Sequence, residues 1–112
     1  MKRVQAIVDN SKLSDVRASL ARAGVDGMTV TDVLGYEREN GQTQQYRGAE
    51  HKVQLLPKVR VEIIVEDGRV PALLEEILRA TRTGKSGDGK IFVLPVDDAV
   101  RIRTNERGRD AL

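Results

Sequence analysis

Lys58–Gly84 reads KVRVEIIVEDGRVPALLEEILRATRTG, and within it the hydrophobic period changes. Over Lys58–Asp67, Val59, Val61, Ile63 and Val65 share one face while Arg60, Glu62, Ile64 and Glu66 share the other. That is the two-residue period of a half-buried strand. From Arg69 onward, Val70, Leu73, Leu74, Ile77 and Leu78 form one stripe at helical spacing. Pro71 falls in the first turn, where a missing N–H costs nothing. A second strand, KIFVLPV over Lys90–Val96, follows. The amino-terminal half repeats the order. KRVQAIVD (Lys2–Asp9) alternates as a strand, and Leu13, Val16 and Leu20 mark a helix capped by Ser11 and closed by Gly24. GMTVTDVLGY (Gly27–Tyr36) is rich in β-branched residues and reads as a strand. The pattern predicts one α+β domain over 1–112, a ferredoxin-like βαββαβ sandwich with a long loop at 37–57 between strands 2 and 3. AVRIRT (Ala99–Thr104) predicts a short fifth strand, and about 104–112 reads as a polar tail. Two helices cover one face of the sheet, so the other meets water or a partner chain.

Composition narrows the function. The 112 residues are 39% apolar and 32% charged, as in a globular domain with a well-charged surface. No apolar run approaches the ~20 residues of a membrane-spanning helix, and MKRVQAIVDN turns polar too early for a signal peptide. With no Cys and a single His, His51, thiolate and multi-histidine metal sites are excluded within one chain. These features point to the cytoplasm. A net charge of +2 and three aromatics, Tyr36, Tyr46 and Phe92, argue against nucleic-acid binding.

Thr83–Val93, TGKSGDGKIFV, nearly spells a phosphate loop, but Ile91 stands where a magnesium-holding Ser or Thr belongs. The order is also inverted: a helix precedes this loop and a strand follows, so no helix N-terminus faces a phosphate. The plain alternative is a helix-to-strand turn in which Gly84, Gly87 and Gly89 only turn the backbone. The three glycines also let main-chain N–H groups approach an anion, with Lys90 as a point charge. Arg101 and Arg103, alternating on one face of the predicted last strand, offer two guanidinium forks to oligophosphate oxygens.

GMTVTDVLGY, YRGAE, LPKVRVEI, RTGKSGDGKIFVLPV and RIRTNE together resemble the nitrogen-regulatory P-II signal transduction proteins, along essentially the whole chain. The resemblance implies a homotrimer of ferredoxin-like subunits with ATP or ADP in clefts between neighbours. It implies that Thr29, the Gly35 backbone and Glu62 address the base and ribose. Gly87, Asp88, Gly89 and Lys90 would form the nucleotide loop, and Arg38, Lys90, Arg101 and Arg103 would meet the phosphates. The 37–57 segment would be the T-loop, which docks on partners such as a membrane transporter or a regulatory or metabolic enzyme. The implied state is cytoplasmic, recruited to a transporter without inserting into the membrane. Magnesium and 2-oxoglutarate would join Glu39, with Lys58 pairing the effector's carboxylate.

Several residues depart from the family pattern. His51 replaces a tyrosine that relatives nucleotidylate, and Ala49 a serine phosphorylated in some, so no modification is expected at His51. Glu39 replaces a glutamine. A carboxylate is a good hard ligand for Mg²⁺, but at an effective dielectric of 20 two like charges 4 Å apart repel by about 4 kcal/mol. Weakened or absent 2-oxoglutarate binding is the expectation. Glu37, Gln42, Gln44, Gln45 and Lys52 give the loop an unusual face. That suits a divergent paralogue sensing adenylate state for carbon or metal transport. Enzyme function has little support, because no nucleophile–base pair stands out; slow ATP hydrolysis in the cleft is the residual alternative. An RNA-binding reading of the fold needs sheet-face aromatics that VRVEIIV lacks.

Overall fold

The structure is a computed structural model that describes residues 1–36 and 55–112. Four strands, β1 (Lys2–Asp9), β2 (Thr29–Gly35), β3 (Leu56–Val65) and β4 (Lys90–Pro95), form one antiparallel sheet in the order β2-β3-β1-β4. Helices α1 (Leu13–Arg22) and α2 (Val70–Thr81) complete the order β1-α1-β2-β3-α2-β4, an α+β arrangement with ferredoxin-like topology.

The core follows the period-two faces. Val4, Ala6 and Val8 of β1 and Val59, Val61, Ile63 and Val65 of β3 are buried against Val16 and Leu20 of α1 and Leu73 and Ile77 of α2. Each such aliphatic side chain contributes roughly 1.5–3 kcal/mol by leaving water. On the opposite face, cross-strand register lines up Thr29, Glu62, Gln5 and Phe92 in one row, and Val33, Lys58 and Asp9 in another. Ile64 and Phe92 of that face are 37% and 45% exposed, so it carries apolar surface that the described residues do not cover.

The α1 boundaries differ from the sequence expectation at one end. Ser11 does not cap α1: the Asp9 carboxylate accepts from the Ser11 N–H at 2.9 Å and from the Ser11 hydroxyl, capping a 3₁₀ turn at Asn10–Lys12, and α1 continues from that turn at Lys12 with no side-chain cap of its own. Asp9 holds the extended conformation an N-cap needs, and a carboxylate accepts more strongly than a hydroxyl. Gly24 closes the helix as expected, with φ +83° and the Val25 N–H returning to the Leu20 carbonyl at 3.0 Å.

Two expectations are corrected. β3 begins at Leu56, so Leu56 and Pro57 belong to the sheet rather than to the loop. Ala99–Thr104 is not a fifth strand: only Val100 and Arg107 form a bridge, around a turn in which Arg101 N–H donates to the Glu106 carbonyl at 2.9 Å and Asn105 N–H to the Arg101 carbonyl at 2.7 Å. Asn105 takes the left-handed conformation, φ +65°, that lets the chain double back. The Val-Arg-Ile-Arg alternation imitates a strand, but a strand needs a ladder, and here local turn bonds take those groups instead. The following residues form a short 3₁₀ helix, Gly108–Ala111, tied back to β3 by an Arg109–Glu66 ion pair at 3.2 Å.

Candidate nucleotide site

The glycine-rich stretch between α2 and β4 is built around one carboxylate. Asp88 Oδ2 accepts from the Thr83 N–H at 2.8 Å and the Gly84 N–H at 2.9 Å, and Oδ1 accepts from the Thr83 hydroxyl. The Thr83 hydroxyl and N–H, with the Gly84 N–H, hold the Asp88 carboxyl below its usual range. Asp88 therefore enters as the staple of the turn. Gly84, Gly87 and Gly89 have φ of +86°, +92° and +106°, a region that L side chains avoid. Gly89 is fixed twice over, because a Cβ there would lie 2.1 Å from the Ile7 carbonyl oxygen of β1. Beside Gly87 no described residue lies within 4 Å of where a Cβ would stand, so its main chain is open on that side, whereas the same side of Gly89 is closed by β1.

Lys58 joins this turn to the sheet. Its side chain runs over Gly35, where an added Cβ would meet Lys58 Cγ at 2.9 Å, and its Nζ donates to the Gly87 carbonyl at 3.2 Å. At 7% exposure the lysine is nearly buried. The residue expected to pair with an effector carboxylate thus already has a partner. Lys90 starts β4 opposite Ile7 and is exposed. A groove of about 390 Å³ runs behind it on the helix side, lined by Leu74, Leu78, Thr81, Arg82, Gly89, Ile91 and neighbours. Its walls are largely apolar; of the predicted contacts Asp88, Gly89 and Lys90 line it, while the predicted base, ribose and arginine contacts do not.

Thr29 and Glu62 face each other across β2 and β3. Glu62 is flanked by Arg3 Nε at 3.6 Å and Arg60 Nε at 3.7 Å. Among the described residues neither Nε finds a hydrogen-bond partner, so at these atoms the contacts are ion pairs without hydrogen-bond geometry.

The carboxy-terminal arginines lie elsewhere. β4 runs from Lys90, paired with Ile7, to Pro95, paired with Lys2, and the Val96 N–H reaches the Met1 carbonyl at 3.1 Å. The chain then passes to the 100–107 turn and to Arg109 at Glu66. Arg101 and Arg103 therefore leave the Met1–Glu66 end of the sheet, whereas Lys58 and the glycine turn occupy the Asp9 end. Strand rise puts those ends about 23 Å apart. Arg101 and Arg103 are not on a strand face: Arg103 is exposed in the turn, and Arg101 lies 3.2 Å from Glu106 and 3.0 Å from the main-chain oxygen of Leu112. Arg38, Glu39 and His51 lie outside the described residues. Among the described residues no three acidic, His or Cys side chains gather as a metal site, and no helix is long and apolar enough to cross a membrane.

The sequence-predicted residues thus fall into two groups. Gly35, Lys58 and Gly87–Lys90 share one end of the sheet, and Thr29, Glu62, Arg101 and Arg103 lie toward the other. Sequence reasoning missed Thr83 and Glu106, whose signal is a hydroxyl or carboxylate five residues from the partner it holds.

A family model for "Nitrogen regulatory protein P-II" matches residues 1–106. Proteins of that name from Pasteurella multocida (51% identical), Microchaete diplosiphon (49%) and Synechocystis sp. (47%) align over 112 residues, the full length of this chain and of each relative.

Proposed function

The chain belongs to the P-II nitrogen regulatory protein family, and on that premise we propose that it binds ATP or ADP between copies of itself and thereby sets the conformation of its 37–57 loop on a partner protein. The relatives carry the name of a regulatory protein, and this chain acts as a regulator rather than an enzyme.

The observation that carries the reading is the division of the binding groups. No single chain can bring Lys90 and the open main chain at Gly87 to the same phosphates as Arg101 and Arg103, since they sit at opposite ends of the sheet. A neighbouring copy placed end to end unites the two halves, which a homotrimer does three times. The groups present suit a nucleotide. An exposed Lys90 and a Gly87 flanked by open space suit phosphate oxygens, and the Thr29–Glu62 pair offers a hydroxyl and a carboxylate to a ribose or base edge. Arg38 would add a further phosphate contact.

Lys58 bears on the effector. One of its three N–H donors is already engaged with Gly87, which constrains how it can pair with a 2-oxoglutarate carboxylate, and Glu39 adds negative charge. Magnesium held by Glu39 with the nucleotide would offset part of that charge, and effector binding is correspondingly weak. Signalling requires that the nucleotide states prefer different loop conformations. The partner is a membrane transporter or a metabolic enzyme, met from the cytoplasm; the alternative of a target in carbon or metal transport rests on the loop residues Glu37, Gln42, Gln44, Gln45 and Lys52. The test is calorimetric titration with ATP, ADP and 2-oxoglutarate, on the parent and on Lys90→Ala. Micromolar-to-millimolar nucleotide affinity that falls about tenfold or more in Lys90→Ala without loss of assembly is the expected result. A monomer indifferent to millimolar ATP and ADP overturns the reading.

A further inference from the structure

Arg101 is not waiting empty. Its Nε lies 3.2 Å from Glu106 Oε1, and its Nη2 donates to the Leu112 main-chain oxygen at 3.0 Å. The Glu106 carboxylate is itself aimed: the Thr104 hydroxyl donates to the same Oε1 at 2.7 Å and accepts from the Glu106 N–H at 3.3 Å. Main-chain bonds between Arg101 and Glu106 and between Asn105 and Arg101 fix the spacing independently of either side chain. The Arg101–Glu106 contact is an ion pair without hydrogen-bond geometry at Nε, so it holds charge near charge without using the donor fully.

We propose that Glu106 is an affinity- and charge-selecting residue for the nucleotide site, an internal counter-anion that sits beside the Arg101 guanidinium until a polyphosphate takes its place. This rests on the nucleotide reading above. A ligand reaching Arg101 must separate the guanidinium from Glu106 or bring its own negative charge up to that carboxylate. Either way Glu106 lowers affinity for every anion, and the repulsive part grows with the ligand's charge. A half-exposed ion pair is worth up to about 1 kcal/mol, which corresponds to a factor of about five in affinity. Thr104 serves as the positioning residue that keeps the carboxylate on the arginine.

The test is Glu106→Gln, which keeps the shape, the hydrogen bond from Thr104 and the main-chain turn while removing the charge. Affinities for ATP, ADP, AMP and inorganic tripolyphosphate are measured by calorimetry on parent, Glu106→Gln, Arg101→Ala and the double variant, with light scattering to confirm equal assembly. The expected result is ATP binding tightened about fivefold in Glu106→Gln, with the gain shrinking from ATP to ADP to AMP and reduced in the Arg101→Ala background, where the part due to separating the ion pair is gone. Equal or weaker ATP binding by an intact Glu106→Gln assembly overturns the inference while leaving the proposed function standing. A gain that persists undiminished without Arg101 also overturns it, because Glu106 would then act as a general surface charge. Failure of the parent to bind any of the four ligands removes both.

Discussion

At the scale of single residues, the glycines of the 84–89 turn separate by what surrounds them. Gly87 and Gly89 both take positive φ, which costs an L side chain about 1–2 kcal/mol. Only Gly89 also has a carbonyl oxygen 2.1 Å from where a Cβ would stand. Gly89→Ala must therefore push β4 away from β1 as well as strain its own backbone. It should lower stability clearly more than Gly87→Ala, by several kcal/mol against about 1–2, compared by urea denaturation of the two variants. A Gly87→Ala variant unfolding first would contradict this assignment. The glycine spacing is visible in the sequence, but its reason is not: the near phosphate-loop pattern suggests one role for three glycines, whereas contact with Ile7 dictates the third.

At the scale of elements, the fold was legible because β1, β3 and α2 keep clean periods on faces that are buried. Val59 to Val65 alternate into the core, and Leu73 and Ile77 of the α2 stripe are buried there. The carboxy-terminal turn was not legible, since Val100–Arg103 alternates like a strand while its partners, Glu106 and Leu112, are decided by a fold-back at Asn105. For the same reason the arginine contacts could be named but not placed. One part of the α1–α2 contact was also hidden, because it runs through a polar residue. Ser19 is 1% exposed, and its hydroxyl donates to Glu76 Oε1 at 2.9 Å. That hydroxyl, then Arg79, holds the Glu76 carboxyl below its usual range. An unfolded glutamate titrates near ~4.3. The contact's stability is thus fully present above that pH and is lost as pH falls through the lower folded value. Glu76→Gln cannot titrate, so its urea midpoint should fall less steeply than the parent's below about pH 4. Parallel curves for the two proteins would remove Glu76 from the acid response.

At the scale of the whole molecule, the proposed function makes the candidate site complete only in an assembly, and that has a direct consequence for mixtures. Lys90→Ala damages one end of each copy, and Arg101→Ala the other. Each variant alone should bind ATP poorly. Unfolded together and refolded, mixed assemblies contain junctions where an intact Lys90 end meets an intact Arg101 end. Such mixtures should regain a fraction of parental ATP sites at parental affinity, read as stoichiometry in a calorimetric titration. No recovery in demonstrably mixed assemblies would show that both groups serve a site within one chain.

Lys58 gives the molecule a gear. Its stem lies in the space that Gly35 leaves vacant at the end of β2, while its ammonium grips the Gly87 carbonyl. Residues 37–54 join the two strands it bridges, so displacing the last residue of β2 must turn the lysine and loosen the far turn. Gly35→Ala, whose methyl carbon would stand 2.9 Å from that stem, should quicken amide hydrogen exchange at residues 84–89, a segment it does not touch.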